Sequence, residues 1–285
     1  MLRLPLSTDL SALQPRFATC RLHNELQIAG RTLRFPNIVT GANLEPAQWL
    51  LRQHETMPVH EPGLVTWLYN LGEALKDEQV AVFDIGAAYG YFSLLSALFF
   101  PLAEICAVEP NQPLAHYIAT AARHNDIRNV HVINRLVCNR IGNAKLKARN
   151  FVFLPEHVPA PDIFTDVDVT MTTLEDLLTH AGSARPILKI DVEGWQARIL
   201  PPAIDQLAVR SCVILLECDR PEKLSRFGAT NAGLADPFLK RGYRLFFSDH
   251  RDIAFELREI FAAGDLPERD ALLAMIPPDI PISSR

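Results

Sequence analysis

The chain has 285 residues, of which 48% are apolar and 21% charged, and its formal net charge is −5. That length accommodates one large domain or two small ones, and the composition is that of a globular protein with a sizeable core. The acidic balance excludes the broad basic face of a nucleic-acid binder, and Arg185, Lys189 and Arg198 are too scattered to make a local one.

Residues 1–60 read as an N-terminal extension. Cys20–Pro36 alternates loosely around Gly30 and predicts a β-hairpin, and Ala47–Gln53 predicts a short helix. Glu61-Pro62-Gly63 opens a helix on which Leu64, Trp67, Leu68, Leu71 and Leu75 recur at helical spacing. A strand follows at Val80–Asp84, then a glycine turn at Gly86–Gly90, then an apolar helix, Tyr91–Phe100, ended by Pro101. Glu104–Val108 is a second strand, Gln112–His124 a helix with apolar residues on one face, and Val130–Val137 a third strand. Gly142 marks a turn, Ala144–Phe153 returns extended, and the prolines of Pro155–Pro161 make a loop.

Thr173–Leu178 opens a short helix, and Pro186–Asp191 is another apolar strand, running into Val192-Glu193-Gly194. The helix from Trp195 is expected to stop at Pro201-Pro202. Cys212–Glu217 is a strand, Ala232–Arg241 a helix with Gly242 at its C′ position, and Tyr243–Ser248 a late strand. The tail predicts one amphipathic helix around Arg269–Met275. Strands alternating with helices predict an α/β domain over residues 61–250. Its sheet is mostly parallel with helices on both faces, an N-terminal β/α extension precedes it, and a tail follows at 251–285.

Five cysteines, at 20, 106, 138, 212 and 218, form no C-x-x-C pair and predict free thiols in a reducing compartment. Met1–Cys20 lacks the basic and apolar regions of a secretory leader. The most apolar window, Tyr91–Ala103, is shorter than the roughly 20 residues that span a bilayer. A cytoplasmic chain with no membrane span is therefore expected.

Several strands end in acids: Asp84, Glu109, Asp191 with Glu193 just beyond, and Glu217. In an open parallel sheet the carboxyl ends share one edge, where ligands bind, so these carboxylates are expected to face one cleft. Glu109 follows the glycine turn by the spacing at which an acid accepts hydrogen bonds from ribose hydroxyls. The turn reads G-x-x-x-G, with Ala88 where a dinucleotide fingerprint needs its close-approach glycine. A charged Asp84 beside the turn would repel a pyrophosphate and attract a cation. Both features favour S-adenosylmethionine over NAD.

These residues resemble the FkbM-type S-adenosylmethionine-dependent methyltransferases. The resemblance lies in Phe83–Ser93, Val108-Glu109-Pro110-Asn111, Thr173–Leu177 and Leu188–Gly194, with Glu61-Pro62 and Gly242-Tyr243 in support. It implies a class I methyltransferase (Rossmann-like) sheet and methyl transfer to a hydroxyl of a small molecule, a sugar or a natural product. It further implies that Asp84, Gly86, Ala87, Ala88, Tyr89 and Gly90 hold the methionine end and that Glu109 and Pro110 meet the ribose. Asn134, Arg135 and Leu136 would lie near the adenine, and Asp191 and Glu193 would face the methyl group and the acceptor. The chain departs from the family pattern at Ala88 (Asn in the family), Glu175 (Asp) and Gln196 (an acid).

Asp191 and Glu193 are thus the candidate general bases for a hydroxyl acceptor. Lys189, two residues before Asp191 on the same strand face, is expected to pair with a neighbouring acid rather than catalyse. Asp191, Glu193 and Glu217 are a weak ligand set for a divalent ion, and no metal is expected. Trp195 is read as core packing beside the site. Two other readings remain: a non-catalytic S-adenosylmethionine-fold binding protein, and an NAD-dependent oxidoreductase, which wants the complete G-x-G-x-x-G that is absent. The expected partner is a small-molecule acceptor, not nucleic acid.

Overall fold

The computed structural model describes residues 1–3, 10–40, 45–149, 152–154, 158–159, 161–249, 251 and 257–283. The expected proline loop therefore lies partly outside the described residues, as does the start of the tail. The N-terminal part begins with β1 (Leu2–Arg3) and a three-stranded antiparallel sheet of β2 (Arg16–Thr19), β3 (His23–Ile28) and β4 (Arg31–Pro36). The expected hairpin is β3–β4; its two-residue turn places Ala29 and Gly30 at positive φ, which matches the right-handed twist of the flanking strands. Helix α1 (Pro46–His54) follows, then α2 (Pro62–Ala74).

The nucleotide-fold half begins with β5 (Val80–Ile85), α3 (Tyr91–Phe99), β6 (Glu104–Val108), α4 (Gln112–His124) and β7 (Val130–Ile133). Asn111 caps α4, its side chain accepting from the Leu114 amide. The expected third strand is in fact two. After β7 the chain breaks at Asn134-Arg135 and leaves the main sheet as β8 (Leu136–Cys138). A second sheet, in the order β10-β9-β11-β8, is formed with β9 (Gly142–Arg149), β10 (Val152–Leu154) and β11 (Thr165–Thr173). Strand β11, with its polar alternation Thr-Asp-Val-Asp-Val-Thr, was not expected from sequence.

The second half holds α5 (Leu174–Leu178), β12 (Arg185–Ile190), α6 (Gln196–Val209), β13 (Val213–Cys218), α7 (Pro221–Leu224), α8 (Asn231–Leu239), β14 (Arg244–Ser248), β15 (Arg258–Ile260), β16 (Ala271–Ile276) and β17 (Ile282–Ser283). Two expectations are corrected here. Helix α6 runs through Pro201 and Pro202 instead of stopping. Both prolines are exposed, so the carbonyls they leave unbonded can be hydrated, while Ile199, Leu200, Ala203 and Leu207 anchor the helix in the core. The expected tail helix is strand β16, buried along its whole length. Its run Ala-Leu-Leu-Ala-Met-Ile is apolar on both faces, as a sheet interior requires, and too short for periodicity to separate strand from helix.

The main sheet has the order β15-β14-β16-β13-β12-β5-β6-β7. Strands β13, β12, β5, β6 and β7 are parallel, and β16 runs antiparallel between β13 and β14. This is the class I methyltransferase sheet. One core lies on each face: Phe83, Leu188 and Ile214 pack with Leu177, Ile199 and Phe238 on one side. Val82, Ile187 and Val213 pack with Trp67, Leu94 and Tyr117 on the other. From β5 the chain winds outward through β6 and β7, then returns to β12 on the opposite side of β5. That reversal opens a crevice at the carboxyl ends of β5 and β12. Among the described residues no helix is long and apolar enough to cross a membrane, and the five cysteines are free.

Candidate functional site

The crevice is a cavity of about 470 Å³, within the range of small-ligand sites. Its floor is the turn between β5 and α3. Gly86 has φ +79°, and a Cβ there would lie 1.8 Å from the Asp191 carbonyl oxygen, so only glycine lets the ends of β5 and β12 touch. Gly90, φ +73°, is pressed against Ile118 of α4. Ala88 sits between them with φ 47°, a left-handed conformation that Asn or Gly adopts more readily.

Four amides of this turn are already used. Gly86 and Ala87 donate to the Val108 carbonyl at 3.0 and 3.1 Å, and Gly90 donates to Ala87 at 2.7 Å. The Ala88 amide donates to Glu109 Oε2 at 2.9 Å, and Asn111 donates to Glu109 Oε1 at 2.8 Å. Glu109 is 2% exposed; burial pushes its pKa up to about 7 against the pull of those two amides. Asn134 holds the loop beneath, donating to the Glu109 and Pro110 carbonyls at 2.8 and 3.0 Å.

Asp84 does not line the cavity. It is 1% exposed and accepts from the Ser93 hydroxyl at 2.6 Å, and Lys189 Nζ stands 3.1 Å from its other oxygen. Lys189 also donates to the Gly86 carbonyl at 2.9 Å and lies 3.7 Å from Asp191. Burial opposes the charge on Lys189, but Asp84 and Asp191 outweigh it and hold the ammonium protonated. The expected pairing of Lys189 is thus observed, and the electrostatic argument from Asp84 is revised, because its charge is neutralised from behind. What disfavours a pyrophosphate is instead that the Gly86, Ala87, Ala88 and Gly90 amides are already taken.

Of the residues singled out in the sequence, Gly86, Ala88, Glu109, Pro110, Arg135, Leu136, Asp191 and Glu193 line the cavity. Ala87, Tyr89, Gly90 and Asn134 support it from below or beside, Tyr89 packing its ring 5.0 Å from Trp49. Asp191 steps off β12 beside Glu217 of β13; burial first, then Glu217, raises its pKa well above the carboxylate range. Glu193 has φ 54° and forms an ion pair with Lys223, which also holds Asp219 at 2.6 Å. Gln196 is buried beneath this loop: its amide donates to Asp219 at 2.7 Å and its oxygen accepts from Gly194 at 3.0 Å. An acid at 196 would face Asp219 directly, so the neutral residue suits its surroundings.

The sequence reading missed the roof. Helix α1 and the segment after it contribute Trp49, Arg52, Gln53, Met57 and His60 to the lining. They are fastened to α3 by the His60 ring against Tyr91 (5.6 Å, edge-on) and by the His60 amide, which donates to the Tyr91 hydroxyl at 3.2 Å. Glu61, Phe153 and Arg251 also line the cavity. The aromatic run Trp49, His60, Tyr89, Tyr91 was visible, but nothing in its spacing says that two elements meet. Trp195 borders the cavity yet is 6% exposed, donating from Nε1 to the Phe153 carbonyl at 2.7 Å. Among the described residues, the group placed to gather a metal ion is Cys20, His23 and Glu25, outside the cavity lining, where Glu25 is held by Arg34 at 3.0 Å.

A family profile described as Methyltransferase FkbM domain matches residues 84–250, more than half of the chain. No curated protein matches. Similar solved structures include a precorrin-6y C5,15-methyltransferase from Geobacter metallireducens GS-15, 14% identical over 74% of this chain and 88% of that one, TM-score 0.39. The METTL16 MTase domain is 12% identical over 75% of this chain and 65% of its own, TM-score 0.41. A coclaurine N-methyltransferase bound to N-methylheliamine and SAH is 14% identical over 59% and 40%, TM-score 0.31. The chain spans less than two thirds of the length of the last two.

Proposed function

The chain belongs to the FkbM methyltransferase family, and from that membership we propose that it is an S-adenosylmethionine-dependent methyltransferase whose acceptor is a hydroxyl of a small molecule, a sugar or a natural product. The observation that carries the cofactor assignment is the turn over the cavity floor. Its amides at Gly86, Ala87, Ala88 and Gly90 are satisfied within the protein, while Glu109 presents a buried carboxylate at the end of β6. At those positions the floor accepts hydrogen bonds rather than donating them. It suits the hydroxyls of a ribose, and those four amides are not available to a pyrophosphate.

Within this reading Glu109 takes the ribose hydroxyls, and Pro110, Arg135 and Leu136 flank the base. S-adenosylmethionine supplies a methyl carbon on a cationic sulfur, a leaving group that needs no further activation. The chain's own residues hold the acceptor close and in line, exclude water beneath the α1 roof, and take a proton from the acceptor. Asp191 is the candidate base. Glu193 is less free for that role, being engaged by Lys223.

Calorimetric titration tests the cofactor assignment. S-adenosylmethionine and S-adenosylhomocysteine are expected to bind, and NAD is not; binding of NAD alone would overturn the proposal. Glu109→Ala removes the charged acceptor of the ribose hydrogen bonds, each about 1.5–3 kcal/mol, so affinity should fall at least roughly 10- to 100-fold. Because the carboxylate form accepts those bonds and its pKa is about 7, wild-type affinity should weaken as pH drops below 7, and that slope should vanish in Glu109→Ala. Labelled-methyl transfer against a panel of hydroxyl and amine acceptors then reads the activity and its class.

A further inference from the structure

Strands β12 and β13 are in register, Ile190 opposite Leu216, so Asp191, just past the end of β12, stands beside Glu217 near the end of β13, and both line the cavity. Their carboxyls lie within hydrogen-bonding reach of each other. A carboxylate only accepts hydrogen bonds, so that contact needs a proton between the two groups. The flanking charges explain why it needs only one. Lys189 stands 3.7 Å from Asp191 on one side, and Arg251 donates to Glu217 at 2.6 Å on the other. These cations favour retaining one negative charge on the pair, while like-charge repulsion at this separation opposes two. The other groups facing the pair are Glu61 ahead of α2, 3.9 Å from Arg251, Asp84 behind Lys189, and Glu193, which is held by Lys223.

We propose that Asp191 and Glu217 hold one proton between them and act together as the base for the acceptor, Glu217 being a second catalytic residue. This rests on the methyltransferase reading for the role it assigns, but the shared proton is a property of the free protein. In the step itself the acceptor's O–H bond breaks, its proton joins the pair, and the electron pair stays on the acceptor oxygen. The pair goes from one proton to two and from one negative charge to none. Titration of the pair belongs to both groups together.

Infrared difference spectroscopy of the free protein tests the sharing. The carbonyl stretch of a protonated carboxyl should persist at pH 6, above the ordinary carboxylate range of about 4, in a Glu109→Gln/Glu193→Gln background that removes the two other raised acids. Both Asp191→Asn and Glu217→Gln should abolish it, because each remaining acid is left with its own cation. If the band survives Glu217→Gln, Asp191 is protonated alone and the proposal is overturned. Arg251→Met, a change at the half-exposed rim, should move the band's loss to higher pH; no movement also counts against sharing.

The role is read kinetically with an acceptor that turns over. Glu217→Gln should lower kcat on the order of 100-fold and move the acid limb of kcat/KM to higher pH, because the shared proton is what stabilises the singly charged pair against taking up a second one, with S-adenosylhomocysteine affinity within about twofold of wild type. A lower rate with an unmoved limb would make Glu217 merely structural and overturn its catalytic assignment. Failure of the wild-type protein to bind S-adenosylhomocysteine would overturn the methyltransferase reading and the base role with it, while the infrared result would still stand on its own.

Discussion

Lys189 is the residue on which the site's electrostatics turn. It is 4% exposed and lies between Asp84 and Asp191, with its remaining donor on the Gly86 carbonyl. Removing one partner of a buried ion pair leaves the other charge uncompensated, which costs about 3–5 kcal/mol. Lys189→Met is therefore expected to lower the midpoint of thermal unfolding sharply at pH 7. Much of that loss should be recovered by adding Asp84→Asn, and a double-mutant cycle on calorimetric melting reads the coupling. The residues in this arrangement were legible in part. Asp84, Glu109, Asp191 and Glu217 each announce themselves as acids at the end of an apolar run, and Lys189 as a charge that must find a partner. Their partition was not legible. Whether an acid faces the ligand or is neutralised from behind depends on which strand lies next to which, and that is a property of the sheet order.

At the scale of elements the same division holds. Helices and strands with a clean period and a capping signal were legible, as at α4, where Asn111 caps and the apolar face repeats. The failures have specific causes. Strand β11 is polar on one edge because it lies in the small second sheet, and β8 breaks away from β7 where Asn134 and Arg135 turn the chain toward the cavity. At α6, packing overrides propensity: Pro201 and Pro202 interrupt the backbone ladder, yet four core side chains keep the helix continuous. Each interior proline costs a helix about 3 kcal/mol relative to alanine, offset in part by the stiffer unfolded chain. Because both face solvent, Pro201→Ala/Pro202→Ala should raise the unfolding midpoint without disturbing S-adenosylhomocysteine binding. Chemical denaturation at constant m would read the gain, and a loss of stability would mean that the prolines hold a needed bend.

At the scale of the molecule, the cavity is assembled from parts distant in sequence. Its floor comes from the turn after β5, its roof from α1, and its rim includes Arg251, beyond β14. The family match ends at residue 250, but the sheet does not. β16 pairs with β13 through five residue pairs, from Ile214–Met275 to Cys218–Ala271, and with β14 on its other edge. A chain ended before Ala271 should consequently lose its cooperative melting transition by circular dichroism rather than merely lose a tail. A retained sharp transition would show that β13 and β14 can close on each other.

The position of β16 also sets an order of events during synthesis. The strands on both sides of it, β13 and β14, are made first and must wait for a partner that the ribosome delivers later. At a translation rate of about 5–20 residues per second, the 22 residues between Ser248 and Ala271 leave the nascent sheet with an open slot for seconds. Both walls of that slot are apolar strand edges of the kind that capture foreign strands. The last central strand thus acts as a closing wedge, and the growing chain is most exposed to wrong pairing and to chaperone capture just before the wedge arrives.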